Sequence, residues 1–453
     1  MLSSIEYDQK EANFVRGGLG PVDAIHIASD LWVCAALIKL NVNGNPGISG
    51  EAVQQLAAAV LGSKTLEVFS KIPIKEIRED KHIELDLSSK GLGPTEGIVL
   101  AALIQHSPVL KSINLRYNRL GTEGWCAMFL ALRDNKANQI QSWDLRNENI
   151  NPEIVKALAE YVAVTLALNR LVLTYNRIKD EGAIALSHGL MTNKTLKVLY
   201  LNECDIGTEG GNALAAALSR GAKVLTECNV RGNHLDSESA HALAKVAAVR
   251  GIMLFGTTHD QKFADFNGKG LGPVDAILIA SDLWVSKTLT SLDLSNNQLC
   301  SVWQERERDG TYVKKGTYDP TGIQALASAL GNAAVLNKIV LSHNLIKDEG
   351  AIAIGAALKI NKTLKDLELD ICEIHAEGGK ALASALSEGR SALNSLYLGG
   401  NRVGSEGAKA LADALRVNAV LTELDVEYNS LSDKGKKALR DAAKGREGFE
   451  LVI

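Results

Sequence analysis

The sequence predicts an α/β solenoid in which repeated strand–turn–helix units stack on one another. Phrases of the form L-x-x-L-x-L-x-x-N/C-x-L recur, in two runs, every 28 or 29 residues of the 453-residue chain. The second half of each unit carries small and apolar residues at helical spacing. Because one such unit cannot bury its apolar face alone, neighbouring units must stack. The phrases begin at Leu110, Leu168, Leu196, Leu225, Leu289, Leu336, Leu364, Leu393 and Leu421.

Each unit is expected to contain a short strand, a turn, a helix and a return loop. In the L-x-x-L-x-L part, alternate apolar residues face the core, and the residues between them stay exposed. The ninth position needs a side chain that hydrogen-bonds the turn backbone beyond the strand. Cys204 and Cys372 hold this position in two units and are interpreted as buried structural thiols. In most other units it is an asparagine: Asn118, Asn176, Asn233, Asn297, Asn344, Asn401 and Asn429.

This pattern closely resembles the ribonuclease-inhibitor-like class of leucine-rich repeats. The same class is found in the GTPase-activating protein for Ran and in the sensing ends of NOD-like receptors. The resemblance covers nearly the whole chain and implies a curved horseshoe, with parallel strands on the concave face and helices on the convex face. It does not extend to ribonuclease inhibitor itself, whose family members are rich in cysteine, because this chain has six cysteines. Such arrays serve many unrelated partners, so the fold alone does not give the function.

The composition indicates a folded protein without a general affinity for nucleic acid. Hydrophobic residues make up 46% and charged residues 23% of the chain, and the net charge is −4. Nucleic-acid binding usually needs a strongly basic face. No secretory signal is visible, and no apolar segment approaches the roughly 18 residues that span a membrane. The cysteines lack disulfide-framework or zinc spacing. We therefore expect an intracellular, cytoplasmic protein with no membrane insertion.

Extra segments interrupt the regular period. Two of them precede a return to the repeat through the phrases SSKGLGP and NGKGLGP. The expected organisation is a single solenoid over residues 1–453, with sub-blocks 1–70, 84–251 and 262–453 and inserts 71–83 and 256–263.

A further rim insert, residues 300–319, delays the helix of its unit. The dipeptide Asp309-Gly310 is a strong hairpin-turn signal, so we expect a small β-hairpin or an ordered loop projecting from the rim. A tolerated surface insertion is the alternative. The side chains of this insert predicted to contact a partner are Trp303, Arg306, Arg308 and Tyr312.

A sixteen-residue phrase occurs twice, at residues 18–33 and 270–285, and differs only at His26 and Leu278. Neither copy fits a phosphate-binding loop or a dinucleotide fingerprint. Proline and aspartate near its start suit a helix N-terminus. We interpret the phrase as a structural part that restarts the array after non-repeat residues. Its helix is expected to present an apolar face that includes Ile25, Ala28, Leu31 and Trp32.

No motif for catalysis is evident in the chain. It lacks HExxH, a Cys/His cluster with metal-ligand spacing, and a GxSxG elbow. We therefore predict no enzymatic activity, no catalytic residues, no cofactor and no metal site. Metal binding by the acidic residues of the late units is the alternative.

The exposed strand positions form the predicted partner-binding surface on the concave face. Arginine and tyrosine, which are frequent at binding hot spots, dominate the early and middle units. The late units are acidic, which favours a protein partner with a basic patch. The alternative is that these charges only solvate an exposed sheet. The predicted contact residues are Arg116, Tyr117, Arg146, Arg170, Tyr175, Tyr200, Arg231, Asp366, Glu368, Asp370, Tyr397, Glu423, Asp425, Glu427 and Tyr428.

These observations predict a non-catalytic intracellular scaffold that binds protein partners, and no nucleic acid, through its concave face and rim inserts. Two alternatives stay open. One is a regulator or activator of a small GTPase, as the resemblance to the Ran activator allows. The other is a ligand-sensing repeat domain.

Overall fold

The computed structural model describes residues 5–306, 312–388 and 391–453. Strands and helices alternate along the chain, and the repeat strands pair in parallel, which confirms the predicted α/β solenoid. The chain divides into two compact units, Met1–His234 (unit 1) and Leu235–Ile453 (unit 2). Within the described ranges, no helix combines the length and the apolarity needed to cross a membrane.

Unit 1 alternates short strands with helices that pack side by side. Its strands are β1 (Glu11–Asn13), β2 (Lys39–Asn41), β3 (Val68–Phe69), β4 (Glu84–Asp86), β5 (Ser112–Asn114), β6 (Ser142–Asp144), β7 (Arg170–Val172), β8 (Val198–Tyr200) and β9 (Glu227–Asn229). Its helices are α1 (Pro21–Val33), α2 (Glu51–Gly62), α3 (Ile74–Arg78), α4 (Pro94–Ile104), α5 (Gly121–Asp134), α6 (Pro152–Val164), α7 (Lys179–Thr192) and α8 (Thr208–Arg220). Strands β1 to β3, β4 to β5 and β6 to β9 form three parallel sheets.

Unit 2 repeats this arrangement around a longer sheet. Its helices are α9 (Ser237–Arg250), α10 (Pro273–Val285), α11 (Thr321–Asn332), α12 (Lys347–Leu358), α13 (Ala376–Ser387), α14 (Gly404–Val417) and α15 (Asp433–Ala443). Its strands are β10 (Phe263–Asp265), β11 (Ser291–Asp293), β12 (Trp303–Arg306), β13 (Tyr312–Lys315), β14 (Lys338–Val340), β15 (Asp366–Glu368), β16 (Ser395–Tyr397), β17 (Glu423–Asp425) and β18 (Glu450–Val452). All of these except the separate β12–β13 pair belong to one parallel sheet.

The apolar residues of the motif come into register across neighbouring strands. In unit 2 the central strand residues from β11 to β17 are direct register partners and are at most 1% exposed. Burial of one such side chain contributes about 1.5–3 kcal/mol, so the row stabilises the stack only when the units are joined. These partners are Leu292, Ile339, Leu367, Leu396 and Leu424.

The asparagine at the ninth position joins each unit to the one before it. Asn176 Nδ2 donates to the carbonyl of Leu145 in the preceding unit at 2.8 Å and to that of Leu173 in its own unit at 2.7 Å. Its Oδ1 accepts from the N–H of Ile150, again in the preceding unit, at 2.9 Å. Nδ2 also donates to a carbonyl of the preceding unit in Asn118, Asn233, Asn297, Asn344, Asn401 and Asn429.

Cysteine can replace this asparagine because the thiol still donates to the preceding unit. Cys204 Sγ lies 3.2 Å from the carbonyl of Leu173, and Cys372 Sγ lies 3.4 Å from that of Leu341. Burial raises the pKa of both thiols to about 12, so they keep the proton that they donate. Asn45, which the sequence analysis did not single out, donates in the same way to a carbonyl of its preceding unit at 2.8 Å.

A second row of side chains ties the units together where the helices end. Asn193 Nδ2 donates to the carbonyl of Val162 in the preceding helix at 2.7 Å, while its Oδ1 accepts from the N–H of Leu196 at 2.7 Å. Asn361 and Asn418 make the same pair of contacts. This row lies three residues before the first leucine of the motif, a position the sequence analysis did not use.

Residues 71–83, predicted as an insert, form the second half of a shortened unit. Strand β4 begins 16 residues after β3, whereas β5 begins 28 residues after β4. The short helix α3 buries Ile74 and Ile77. The guanidinium of Arg78 donates to the carbonyl of Leu61 at the end of α2 at 2.6 Å. The segment is therefore packed into unit 1 as a reduced repeat.

The two copies of the sixteen-residue phrase form α1 and α10, and both begin with the same cap. Asp23 accepts from the N–H of Gly20 at 2.9 Å, and Asp275 accepts from that of Gly272 at 2.9 Å. This agrees with the interpretation of the phrase as a helix start. The single difference between the copies also has a packing reason: Leu278 is 1% exposed because α10 lies between α9 and α11, whereas His26 of α1 is exposed.

The expected apolar face of α1 is wrong at two of its four positions. Ala28 and Leu31 are buried, but Ile25 is 42% and Trp32 64% exposed. Helical spacing alone could not show which of the four side chains would be buried, because the buried side of α1 is decided by its packing against α2. The Trp32 ring instead lies over Gly62 at the end of α2, where a Cβ would approach the ring to 2.5 Å.

An aspartate inside the phrase fixes the non-repeat residues that precede it. Asp282 is 1% exposed and accepts from the N–H groups of Leu254 and Phe255 at 2.5 and 3.1 Å. The Thr257 hydroxyl lies 2.5 Å from its Oδ2. Burial raises the pKa of Asp282 to about 6, although these hydrogen bonds oppose the shift. The matching Asp30 accepts from the N–H of Ile5 at 2.9 Å.

Replacement of Asn344 should measure the strength of the asparagine row. Asn344→Ala leaves the buried carbonyls of Leu294 and Leu341 without their donor. We therefore expect the free energy of unfolding, measured by urea denaturation, to fall by about 3 kcal/mol. Asn344→Cys should lose less, since cysteine occupies this position at Cys204 and Cys372. Asn212→Ala, on the exposed face of α8, is the control and should change stability little. Equal losses for the alanine and cysteine variants would contradict this role.

Asp282 should make stability fall as pH rises. Its pKa is higher in the folded chain, about 6, than the usual 3.8, so folding takes up a proton between these values. The free energy of unfolding of the wild type should therefore fall by about 2–3 kcal/mol between pH 4 and pH 7 through the titration of this group. Asp282→Asn is destabilised by its lost acceptor but lacks this titration. Urea unfolding at both pH values should show its stability deficit shrinking at pH 7; a constant or growing deficit would exclude the effect.

Candidate functional site

We define the strand face as the side chains that flank the buried central residue of each repeat strand. None of the fifteen predicted concave-face residues is buried. The structure divides them into three groups by position. Seven lie on strands: Arg170, Tyr200, Asp366, Glu368, Tyr397, Glu423 and Asp425. Five follow two residues after a strand ends: Arg116, Arg146, Arg231, Asp370 and Glu427.

The remaining three residues are tyrosines in the turn that follows each strand. Tyr117, Tyr175 and Tyr428 have φ values of +61°, +59° and +56°, in the left-handed region. The turn directs their side chains outward, and they are 68%, 61% and 79% exposed. They lie at the edge of the strand face rather than on it, and they offer the large apolar surface that a partner can bury.

In unit 1 the predicted arginines are engaged within the protein. The guanidinium of Arg116 lies 4.9 Å from the centroid of the Tyr117 ring and 3.8 Å from the Asp144 carboxylate. Arg146 binds the same carboxylate at 2.8 Å. Burial acts to raise the pKa of Asp144, but the hydrogen bonds and positive charges of Arg146 and Arg116 outweigh it and lower the pKa. The charge of Arg116 also acts on the buried Glu148, so two arginines face two carboxylates and this part of the strand face balances its own charge.

A second internal chain crosses β7, β8 and β9. Arg170 lies 4.8 Å from the centroid of the Tyr200 ring, and the Tyr200 hydroxyl donates to Glu227 at 2.8 Å. Burial raises the pKa of Tyr200, and the neighbouring Glu227 carboxylate adds to the shift. These contacts fix the side chains in one arrangement and leave them without net charge as a group.

In unit 2 carboxylates outnumber cations on the strand face. Asp366 and Glu368 lie on β15, and Glu423 and Asp425 lie on β17. Lys338 on β14 binds Glu368 at 2.6 Å. The other three carboxylates make no ion pair within the described residues, although Lys338 is the direct register partner of Asp366 and interacts with its charge.

The acidic strands β15 and β17 are not direct neighbours in the sheet. Strand β16 lies between them and presents Ser395 and Tyr397. The Tyr397 hydroxyl donates to Glu423 at 2.6 Å, and burial, followed by the effect of that carboxylate, raises the pKa of Tyr397 to about 12.

One acidic residue of this surface was missed by the sequence analysis. Glu450 on β18 is exposed and is the direct register partner of Glu423 on β17. The terminal segment FELVI lacks the repeat motif, so only the alternation of apolar and polar residues could have indicated a strand there. Like charges directly opposite each other on adjacent strands are destabilising.

Asp370 hydrogen-bonds the units on either side of it. Its Oδ1 accepts from the N–H of Gly399 at 2.7 Å, and its Oδ2 accepts from the Ser342 hydroxyl at 3.2 Å. Burial raises the pKa of Asp370, and the nearby carboxylates of Asp425 and Glu368 add to the shift. Its Oδ1 thus serves the backbone of the next unit and its Oδ2 a side chain of the preceding unit, and its role as a partner contact stays a prediction.

The rim insert contains the antiparallel pair β12–β13, the geometry of a hairpin. Trp303 on β12 is 36% exposed. The backbones of Arg306 and Tyr312 pair with each other, while Arg308 and the predicted turn at Asp309-Gly310 lie outside the described residues.

Two insert residues that the sequence analysis passed over attach it to later units. Lys314 binds Glu373 at 2.5 Å, and the Tyr318 hydroxyl donates to the carbonyl of Ile346 at 2.7 Å. Lys347 lies over the Tyr318 ring at 4.2 Å from its centroid. The base of the insert is thus fixed against the units that follow it.

The chemistry available on the strand face is recognition by charge and by tyrosine surface. In the part of the chain that is described, no three histidine, cysteine, aspartate or glutamate side chains form a cluster that could hold a metal ion. All six cysteines carry free thiols, and five of them are buried.

Comparison with known proteins places these features in a family. The sequence profile of the Leucine Rich repeat family matches residues 106–125, 168–187, 192–215, 285–299, 334–355, 361–383, 392–412 and 417–439. Ribonuclease inhibitor of Mus musculus is 27% identical over 372 residues, which are 82% of this chain and 69% of that protein. Ribonuclease inhibitor of Sus scrofa is 26% identical over 301 residues, 66% of this chain and 60% of that protein.

A second group of relatives consists of much longer proteins. The NACHT, LRR and PYD domains-containing protein 4E of Mus musculus is 31% identical over 360 residues, 77% of this chain. The matched part is 31% of that protein, so this chain is similar to a portion of it.

Proposed function

Since the chain belongs to the leucine-rich repeat proteins, in their ribonuclease-inhibitor-like class, we propose that it is a non-catalytic scaffold that binds protein partners. Its main contact surface is the acidic part of the strand face in unit 2, which we call the acidic face and define as Asp366, Glu368, Glu423, Asp425 and Glu450. Its partner presents a basic patch. The tyrosines at the end of the strands, of which Tyr428 is the most exposed, add apolar contact.

The observation that carries this proposal is the unbalanced charge of the acidic face. Five carboxylates share it with Lys338, which binds only Glu368 among them. If the charged side chains served only to keep the sheet solvated, they could be of either sign. In unit 1 they are, because arginines and carboxylates of the strand face lie beside one another. A surface that keeps Glu423 opposite Glu450 gives up sheet stability, which a complementary partner would recover.

The rigid framework favours this mode of binding. The strand backbone is held by its neighbours and by the asparagine row, so a partner meets preformed contacts and pays little ordering entropy. Dense charge of one sign also speeds the encounter with an oppositely charged protein. We place this binding in the cytoplasm, where the free thiols would stay reduced.

The names of two relatives suggest a first partner to test. Ribonuclease inhibitors of mouse and pig match most of this chain, and by their name they bind ribonucleases. A ribonuclease with a basic surface is therefore a suitable probe, beside partners isolated by affinity purification and mass spectrometry.

Neutralisation of three carboxylates should weaken binding of the basic partner. We expect Asp366→Asn with Glu423→Gln and Asp425→Asn to lower the affinity at least tenfold, about 1.4 kcal/mol or more, in calorimetric titration. The affinity should also depend less on salt concentration, because fewer ion pairs are formed. Glu368 is left unchanged so that Lys338 keeps its ion pair. Asp425 accepts a hydrogen bond from the N–H of Glu427, and asparagine can keep this bond. Asn229, at the same position of its own unit, accepts from the N–H of Arg231 in the same way.

A control variant removes three exposed carboxylates of unit 2 that lie away from the strand face. It combines Glu238→Gln on α9, Asp441→Asn on α15 and Glu447→Gln after α15. The control should bind as the wild type does. If both variants lose affinity equally, net charge rather than the acidic face governs binding; if neither loses affinity, the acidic face only solvates the sheet.

A further inference from the structure

Helix α1 exposes a face that its copy α10 buries. The two helices have the sequences PVDAIHIASDLWV and PVDAILIASDLWV, which differ at one residue. In α10, Ile277 and Leu278 are each 1% exposed and Ser281 is 4% exposed. The matching residues of α1 are all exposed. Together with the neighbouring valine we call them the open face of α1: Val22, Ile25, His26 and Ser29.

The surroundings of the two helices agree on every side but one. Gln9 Nε2 donates to the carbonyl of Glu11 before α1, and Gln261 Nε2 donates to that of Phe263 before α10, both at 2.8 Å. Each helix packs against the helix that follows it, α1 against α2 and α10 against α11. In addition, α9 packs against α10. The open face of α1 is therefore the side that α9 covers on α10.

Helix α9 shows which kind of surface fits this face. Its Ala244 and Ala248 lie beside Ile277 and Ser281 of α10, where all four line one groove. The Ser281 hydroxyl donates to the carbonyl of Ala244 at 3.2 Å, so a side chain of α10 reaches the backbone of α9. This approach requires small side chains on α9. A helix that fits the open face thus carries small apolar side chains on its contact side and polar ones on the other.

A second copy of this chain does not offer such a helix at its last repeat. Helix α15 exposes Lys437, Arg440 and Asp441, which give it the polar outer face typical of the end of a repeat array. A second α1 would present the larger Ile25 and His26 where α9 presents alanines. The occupant that fits is therefore a helix of a different protein.

We propose that the open face docks an amphipathic helix of a partner protein, packed as α9 packs on α10. The small side chains of that helix contact Val22 and Ile25. The Ser29 hydroxyl donates to one of its backbone carbonyls, as Ser281 does to Ala244. His26 stands where α10 has Leu278, and the polar ring suits a face that meets water whenever the partner is absent. This surface is distinct from the acidic face, which belongs to unit 2.

A synthetic peptide of residues 235–251 is the probe, since it contains α9 and both of its caps. In the peptide, Val249→Glu is joined to Lys245 by a lactam bridge that keeps the helix formed, which circular dichroism verifies; both positions are exposed in α9. We expect saturable binding to the whole chain in fluorescence anisotropy, with a Kd below about 1 mM. The same peptide with Ala244→Glu should bind at least tenfold more weakly. No saturable binding of the helical peptide, or equal binding of its Ala244→Glu form, would overturn the proposal.

Variants of the chain locate the binding on α1. Ile25→Glu should weaken binding at least tenfold, whereas Ile352→Glu, at a residue of α12 that is 48% exposed, should not change it. His26→Leu makes the open face match α10 and should strengthen binding at least threefold. Because these effects have opposite signs, loss of folding cannot imitate both. Wild-type affinity in both Ile25→Glu and His26→Leu would overturn the assignment.

Sedimentation velocity tests the competing occupant, a second copy of the chain. We expect the wild type and Ile25→Glu to sediment alike as monomers. A wild-type dimer that becomes a monomer in Ile25→Glu would show that a second copy covers the open face, and would overturn the proposal of a foreign helix.

Discussion

The structure depends on how one asparagine satisfies the backbone where each strand turns toward its helix. The chain leaves the sheet there, so its N–H and carbonyl groups lose their ladder partners while remaining buried. Asn176 supplies donors to two carbonyls and an acceptor to one N–H, and two of these three groups belong to the preceding unit. A buried polar group without a partner costs about 1–3 kcal/mol, so neither unit is stable at this turn without the other. The repeat is therefore joined by polar constraints as well as by the leucine row.

The strand face is free for recognition because these constraints use inward-pointing side chains. An outward side chain can also hydrogen-bond the backbone of the next unit, as Asp370 does for Gly399. The remaining residues differ in how far they satisfy one another. In unit 1, Arg116 and Arg146 face the carboxylates of Asp144 and Glu148, so the charges of this cluster balance. In unit 2, Glu423 faces Tyr397 on one side and Glu450 on the other, and its charge is not compensated. The basic partner that we propose would compensate the charge of the second arrangement.

The period of the sequence predicted the features that repeat with it. The strands, the buried leucines and the role of Asn118 or Cys204 follow from residue type and spacing, because each unit has the same neighbours. Features that depend on a particular neighbour did not follow. Trp32 is next to the buried Leu31, but its ring lies over Gly62 at the end of α2 and stays mostly exposed. Glu450 belongs to a strand that the motif does not mark, and residues 71–83 pack as a reduced unit that a search for L-x-x-L-x-L cannot find. The second asparagine row, at Asn193 and its equivalents, also recurs in the sequence. It was not predicted because it lies outside the apolar motif that defined the units.

The breaks in the period change which residues become neighbours. In a regular unit the asparagine row pairs buried turn groups with the next copy, since both partners recur at the same spacing. At the shortened unit the flanking turns are joined differently, because Asn43 Nδ2 donates to the carbonyl of Lys90 at 2.9 Å. A lengthened unit has the opposite effect: the rim insert brings extra groups, and Lys314 and Tyr318 must find partners in later units. A change in repeat length thus brings new pairs of turns together or adds a projection, while the neighbouring units keep their own contacts.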